Sequence, residues 1–221
     1  MADPRGQPPA LPLLETKLYL PRWRTGMVPR PRLVARLHER GEERLTLISA
    51  PPGFGKTTLL AGWLAGAKGD GSSAAWGSLD PGDNDPALFW SYAFAALQRA
   101  CPGLGAGALA RLHSPQPLAI EELLAALINE IDAGDGDVAL VLDDFHVIEA
   151  EAIHHAVAYL LDHLPARLRL VIASRTDPPL PLGRLRARGQ LVELRAADLR
   201  FIAREAAAFL NRTMRLGLLP A

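Results

Sequence analysis

Leu45-Thr46-Leu47-Ile48-Ser49-Ala50-Pro51-Pro52-Gly53-Phe54-Gly55-Lys56-Thr57-Thr58-Leu59-Leu60-Ala61-Gly62-Trp63-Leu64 reads as strand, phosphate-binding loop and helix. The backbone N–H groups of such a glycine-containing turn point inward. They meet a polyphosphate where the next helix presents its unpaired N–H groups and positive dipole end. Glycine is needed because side chains would block that approach. In this pattern Lys56 reaches the β- and γ-phosphates as a point charge, and the Thr57 hydroxyl ligates Mg²⁺ beside them. The generic spacing G-x-x-x-x-G-K-[ST] asks for glycine where this chain has Ala50. Pro51 and Pro52 preset φ for the turn while Gly53 and Gly55 keep the permissive positions, so a small residue at 50 is compatible with the loop. The candidate nucleotide-binding loop is therefore Ala50, Pro51, Pro52, Gly53, Phe54, Gly55, Lys56, Thr57 and Thr58. An ordinary strand-to-helix turn is the bland alternative.

Outward from this loop, Val138-Ala139-Leu140-Val141-Leu142 is a continuous apolar run, as in a strand covered on both faces, and it ends in Asp143-Asp144. That places two carboxylates at the sheet edge where open α/β sheets bind ligands. Asp143 is the candidate Mg²⁺ ligand, through water, and Asp144 the group that orients or deprotonates the attacking water in γ-phosphate hydrolysis. The run at residues 168 to 173 ends in Ser174-Arg175, where the guanidinium can touch the γ-phosphate and distinguish ATP from ADP. Asp80, at the end of the run 74 to 79, is a further acid that can lie near the nucleotide's Mg²⁺. No Asn-Lys-x-Asp element follows the loop, so adenine rather than guanine is the default base.

Helices are expected at residues 31 to 39, from Pro86 onward, at 120 to 131 and at 149 to 163, with a last strand at 190 to 194. The aromatics of the helix after Pro86 recur at helical spacing and read as core. This alternation indicates an α/β fold, a three-layer sandwich around a central, mainly parallel sheet. The strand 74 to 79 lies between the loop strand and the acidic strand in sequence. That allows the P-loop class with an additional strand between the Walker A and Walker B strands in the sheet.

The chain has 221 residues, 49% of them hydrophobic, enough for one well-packed domain. Lys plus Arg and Asp plus Glu both number 24, so no global field favours nucleic acid or an anionic membrane. Eight arginines against three acids between Arg184 and Arg215 are not interleaved with aromatics and read as solvated helix faces. Cys101 is the single cysteine, which excludes an internal disulfide and a cysteine-rich zinc module. The histidines lack the spacing of a metal-ligand motif and read as incidental. No apolar run approaches the roughly eighteen residues of a spanning helix, and no signal peptide is evident. A cytoplasmic protein without membrane association is expected.

A longer string of motifs then falls in order. It runs Thr16-Lys17-Leu18, Val28-Pro29-Arg30-Pro31-Arg32-Leu33, the loop itself, Ser78-Leu79-Asp80 with Asp83-Asn84-Asp85, and Val141-Leu142-Asp143-Asp144-Phe145-His146. It continues through Ala173-Ser174-Arg175-Thr176-Asp177-Pro178-Pro179-Leu180-Pro181-Leu182 to Leu194-Arg195-Ala196-Ala197-Asp198-Leu199-Arg200-Phe201. This string resembles the nucleotide-binding domain of MalT-type activators, the large ATP-binding LuxR regulators of the STAND class of signal-transduction ATPases. The resemblance implies an ATP/ADP switch with slow hydrolysis and self-association in the ATP state. It also implies that an arginine upstream of the loop contacts the nucleotide. Arg30 is the matching residue, although Pro29 and Leu33 stand where that motif commonly has glycine and glutamate.

The expected organisation is a proline-rich arm over residues 1 to 15, a P-loop ATP-binding domain over 16 to 200, and over 201 to 221 the start of a helical or winged-helix module that is cut short. DNA contact is expected only through a C-terminal helix-turn-helix outside these residues. The rival reading is a stand-alone P-loop ATPase or small-molecule kinase, for which no acceptor motif is evident. A third is a remnant that folds poorly without partner modules.

Overall fold

Parallel strands covered on both faces demand apolar side chains on both, and the three most apolar runs occupy the middle of the sheet. The computed structural model describes residues 13–23, 26–38, 43–66, 73–116 and 118–214. Strands β1 (Leu45–Ser49), β2 (Ser73–Ser78), β3 (Val138–Asp143), β4 (Leu168–Ser174) and β5 (Leu191–Arg195) form one sheet in the order β2-β3-β4-β1-β5. Every neighbouring pair is parallel. The strand inserted between the loop strand β1 and the acidic strand β3 is β4. Strand β2, which intervenes in sequence, lies at the outer edge instead.

The helices are α1 (Pro31–His38), α2 (Lys56–Gly66), α3 (Pro86–Ala100), α4 (Ala106–Leu112), α5 (Ile120–Ala133), α6 (Glu151–Asp162), α7 (Leu182–Ala187), α8 (Ala196–Leu199) and α9 (Ala203–Met214). Side chains of a strand alternate between its faces, and they divide the core accordingly. Leu140, Leu142, Leu170 and Ile172 face a layer built from α3, α4, α5 and α6, while Val141, Val171, Ala173 and Ile48 face α1, α2 and α8. The result is the expected three-layer sandwich. Phe89, Trp90 and Phe94 of α3 are at most 1% exposed, so that aromatic run is core.

Of the expected arm, residues 1 to 12 lie outside the described residues. Residues 13 to 15 do not form a loose lead-in, because Leu13 packs on the core and the Leu14 N–H donates to Tyr92 Oη at 3.1 Å. Just beyond, in a 3-10 turn (Glu15–Leu18), Lys17 Nζ meets Asp83 Oδ2 at 2.6 Å and Asp80 Oδ2 at 2.8 Å.

Candidate functional site

The β1–α2 loop takes its shape from its glycines: Gly53 and Gly55 have φ of 84° and 76°, where a side chain would be strained. Ala50 needs no such freedom, since it is not among the residues at positive φ and is buried beneath α2, with its N–H donating to Ser174 O at 3.2 Å. The departure from the generic pattern thus falls where a methyl group fits the core. Lys56 is 7% exposed and folds over the loop, its Nζ donating to Ala50 O at 2.8 Å and Pro51 O at 3.2 Å. Burial pushes its ammonium below the ordinary value, against Asp144 and Asp143, which favour the charge.

Thr57, the next residue, reaches across the sheet edge, and its Oγ1 donates to Asp143 Oδ2 at 2.7 Å. Asp143 is 3% exposed, and burial raises its carboxyl above the ordinary range. The nearby Asp144 charge adds to this, while the Thr57 hydroxyl, the Asp144 N–H and Lys56 work the other way. A buried carboxylate beside a hydroxyl, next to a glycine-shaped loop at a helix start, is a hard-oxygen donor set, and it fits a magnesium ion accompanying a polyphosphate.

Asp144 is the one non-glycine residue at positive φ among the described residues, at φ 58° and ψ 34°. Aspartate tolerates the left-handed region better than most residues, and such outliers concentrate at functional sites. The turn lifts its carboxylate off the strand axis to half-exposure. His146, read from sequence as incidental, stands with Nδ1 3.7 Å from Asp144 Oδ1. Burial, with the charge of Arg175 next in weight, holds the His146 imidazole below its ordinary pKa, while the Asp144 charge works the other way. The signal that could have found it is its spacing, one short 3-10 turn (Phe145–Val147) past the acidic pair. Arg175 follows β4 directly and is exposed, and its charge acts on both Lys56 and His146.

Lys56, Thr57, Asp143, Asp144 and Arg175 therefore converge at the carboxyl edge of three adjacent strands. Asp80 does not join them: its carboxylate pairs with Lys17 and accepts from the Gly82 N–H at 2.8 Å. Arg30 is turned toward the C-terminal helices, with Nη2 donating to Leu199 O at 2.6 Å and Nε 3.6 Å from Glu205 Oε2. It also lines a cavity of about 400 Å³ together with Val28, Val34, Thr58 and Leu59, directly behind the phosphate loop. Farther round, Arg184, Arg186 and Arg195 are paired with Asp162, Glu193 and Asp177, as solvated faces require. Among the described residues no group of three or more His, Cys, Asp or Glu comes together as a metal site, and no helix is long and apolar enough to cross a membrane.

No family model matches the chain. It is 41% identical over 199 residues to the HTH-type transcriptional regulator MalT of Yersinia enterocolitica, an alignment that covers 90% of this chain and 22% of that protein. It is 38% identical over 209 residues to the MalT of Cronobacter sakazakii, covering 95% of this chain and 23% of that protein. Among solved structures, Cdc6p from Pyrobaculum aerophilum superposes with a TM-score of 0.53 at 20% identity, over 79% of this chain and 46% of that one, a likeness of P-loop NTPase fold alone. Over nine-tenths of its length this chain, a P-loop NTPase fold, is homologous to the MalT transcriptional regulators, of which it spans a little over a fifth.

Proposed function

We propose that this chain is the ATP/ADP-binding switch module of a MalT-like LuxR-family regulator. The observation that carries the reading is the Thr57 to Asp143 contact at 2.7 Å beside a loop whose lysine already lies over it. In this reading Thr57 and Asp143 hold Mg²⁺, which would neutralise phosphate charge, and the loop N–H groups and Lys56 bind the phosphates. Arg175 contacts the γ-phosphate and so separates ATP from ADP. Asp144, with its carboxylate free of the strand, orients the attacking water, and turnover is slow. The cavity behind Thr58 takes the adenine ring, since it is largely apolar and opens beside the loop.

ATP binding favours self-association of the regulator, ADP the monomer, and DNA contact is assigned to other parts of such proteins. Calorimetric titration with Mg·ATP and Mg·ADP, beside Lys56→Ala, tests the proposal. Binding by the wild type and a loss of at least tenfold in a folded variant are expected. A folded wild type that binds neither nucleotide overturns it.

A further inference from the structure

Trp23 has no part in the reading so far, yet it lines the cavity behind Thr58. The other three tryptophans, Trp63, Trp76 and Trp90, are at most 5% exposed and belong to the core, whereas Trp23 keeps 36% of its surface in water. Its ring lies against α2 at Gly62. A Cβ placed on Gly62 would meet Trp23 Cζ3 at 2.7 Å and Cε3 at 3.1 Å, closer than real Cβ contacts come. Glycine at 62 is what lets the indole lie on the helix backbone.

The rest of the cavity wall is apolar apart from Thr58 and Arg30, whose guanidinium is engaged by Leu199 O and by Glu205, 3.6 Å from its Nε. A planar aromatic ring and aliphatic walls suit a flat heteroaromatic ligand. We propose that Trp23 is the stacking wall for the nucleotide base, and that Gly62 sets its position. This rests on the nucleotide reading above and adds to it a residue that determines base affinity. Stacking of a base on an aromatic side chain is worth a factor of about ten in affinity, within a wide range.

The test separates base from phosphate by titrating Mg·ATP and Mg·tripolyphosphate, which has no base, into wild type, Trp23→Ala, Trp23→Phe and Gly62→Ala, each checked for folding by circular dichroism. Trp23→Ala is expected to bind Mg·ATP about tenfold more weakly with unchanged tripolyphosphate affinity, and Trp23→Phe to recover most of the loss. Gly62→Ala, which displaces the ring, should follow Trp23→Ala. ATP should also quench tryptophan emission in wild type and not in Trp23→Phe. Wild-type affinity for ATP in Trp23→Ala, or an equal loss for both ligands, overturns the role of Trp23 while leaving the phosphate loop standing. Wild type that binds neither ligand overturns both readings.

Discussion

Thr57 and Asp143 lie 86 residues apart in sequence, and the Thr57 hydroxyl donates to the Asp143 carboxylate at 2.7 Å. Parallel strands make this meeting possible. With β4 inserted between β1 and β3, the first residues of α2 and the last residue of β3 share one edge of the sheet. The contact sets binding against stability, because Asp143 is buried and its ionised form is disfavoured.

Asp143→Asn is therefore expected to stabilise the ligand-free protein while weakening Mg²⁺-dependent ATP binding. The folded carboxyl titrates above its ordinary value of 3.8. As pH rises through that window the native state retains a proton that the unfolded chain has lost, and stability declines. Above the window the penalty persists, and the amide removes it, raising stability at pH 7 within the roughly 0.5–2 kcal/mol that single stabilising substitutions commonly bring. Urea unfolding across the acid range measures this. A variant less stable than wild type at neutral pH would show that the Thr57 and Lys56 interactions outweigh burial.

Ala50→Gly restores the generic loop pattern and is expected to bring no gain in affinity. Ala50 is 2% exposed within the core on the α2 face, and its backbone needs no left-handed conformation. The substitution removes a buried methyl and loosens the unfolded chain, at a cost of about 1 kcal/mol. Unfolding midpoints and ATP titration together check it, and tighter binding by the glycine variant would sink the account of this position.

Lys17→Met tests the clamp that holds the N-terminal turn to α3. The Lys17 ammonium sits 4.5 Å above the Tyr92 ring and contacts Asp83, whose side chain is 1% exposed. Removing the cation leaves that buried carboxylate without its counter-ion, with the Asp80 N–H at 2.8 Å still bonded to it, and an expected loss of about 3 kcal/mol. The pH dependence has two arms. The hydrogen bond from Lys17 holds Asp80 below its ordinary 3.8, so that contribution is present above the ordinary value and is lost as pH falls through the folded one. Lys17 itself is raised above 10.5 although burial opposes it, so its contribution is present below 10.5 and is lost as pH rises through the folded value. Both arms should flatten in Lys17→Met, and an unchanged acid arm would remove the clamp from the explanation.

What the sequence disclosed was local. Strand, loop and helix around Lys56 are contiguous, and Asp143, Asp144 and Arg175 each stand at the end of an apolar run, so their type and edge could be read directly. That a strand is inserted between the loop strand and the acidic strand was legible, but which one was not, because β1, β3 and β4 are all largely apolar and their sequences do not say which is central. Short α4 and α7 escaped because neither is long enough for its periodicity to stand out. The partners of Arg30 lie about 170 residues away, and a fold-dependent contact of that kind leaves no trace in spacing. Asp80 shows the same limit: a strand-end position leaves open a place near the nucleotide's Mg²⁺, and only the fold brings in the Lys17 counter-ion from the N-terminal turn.

Asn84 gives the last prediction. Its Oδ1 accepts from the N–H groups of Glu149 and Ala150 at 2.6 and 3.0 Å, and its Nδ2 donates to Val147 O at 2.8 Å and Pro81 O at 3.0 Å. Ala150 is the N-cap of α6 and has no side chain that can cap, and Asn84, from the other loop, fixes the chain entering the helix by accepting from the N–H of the N-cap residue and of the residue before it. The segment it grips follows the turn bearing Asp144 and His146. Asn84→Ala should cost about 2 kcal/mol, since it leaves several backbone groups without partners. It should also lower ATP turnover more than nucleotide affinity, because the phosphate loop is untouched while the Asp144 turn is loosened. Asn84→Asp keeps the two accepted bonds and loses the two donated ones, so it should fall between wild type and alanine. Amide exchange at Glu149 and Ala150 reads the staple directly, and protection that survives in Asn84→Ala would mean that the loop is held by its own packing.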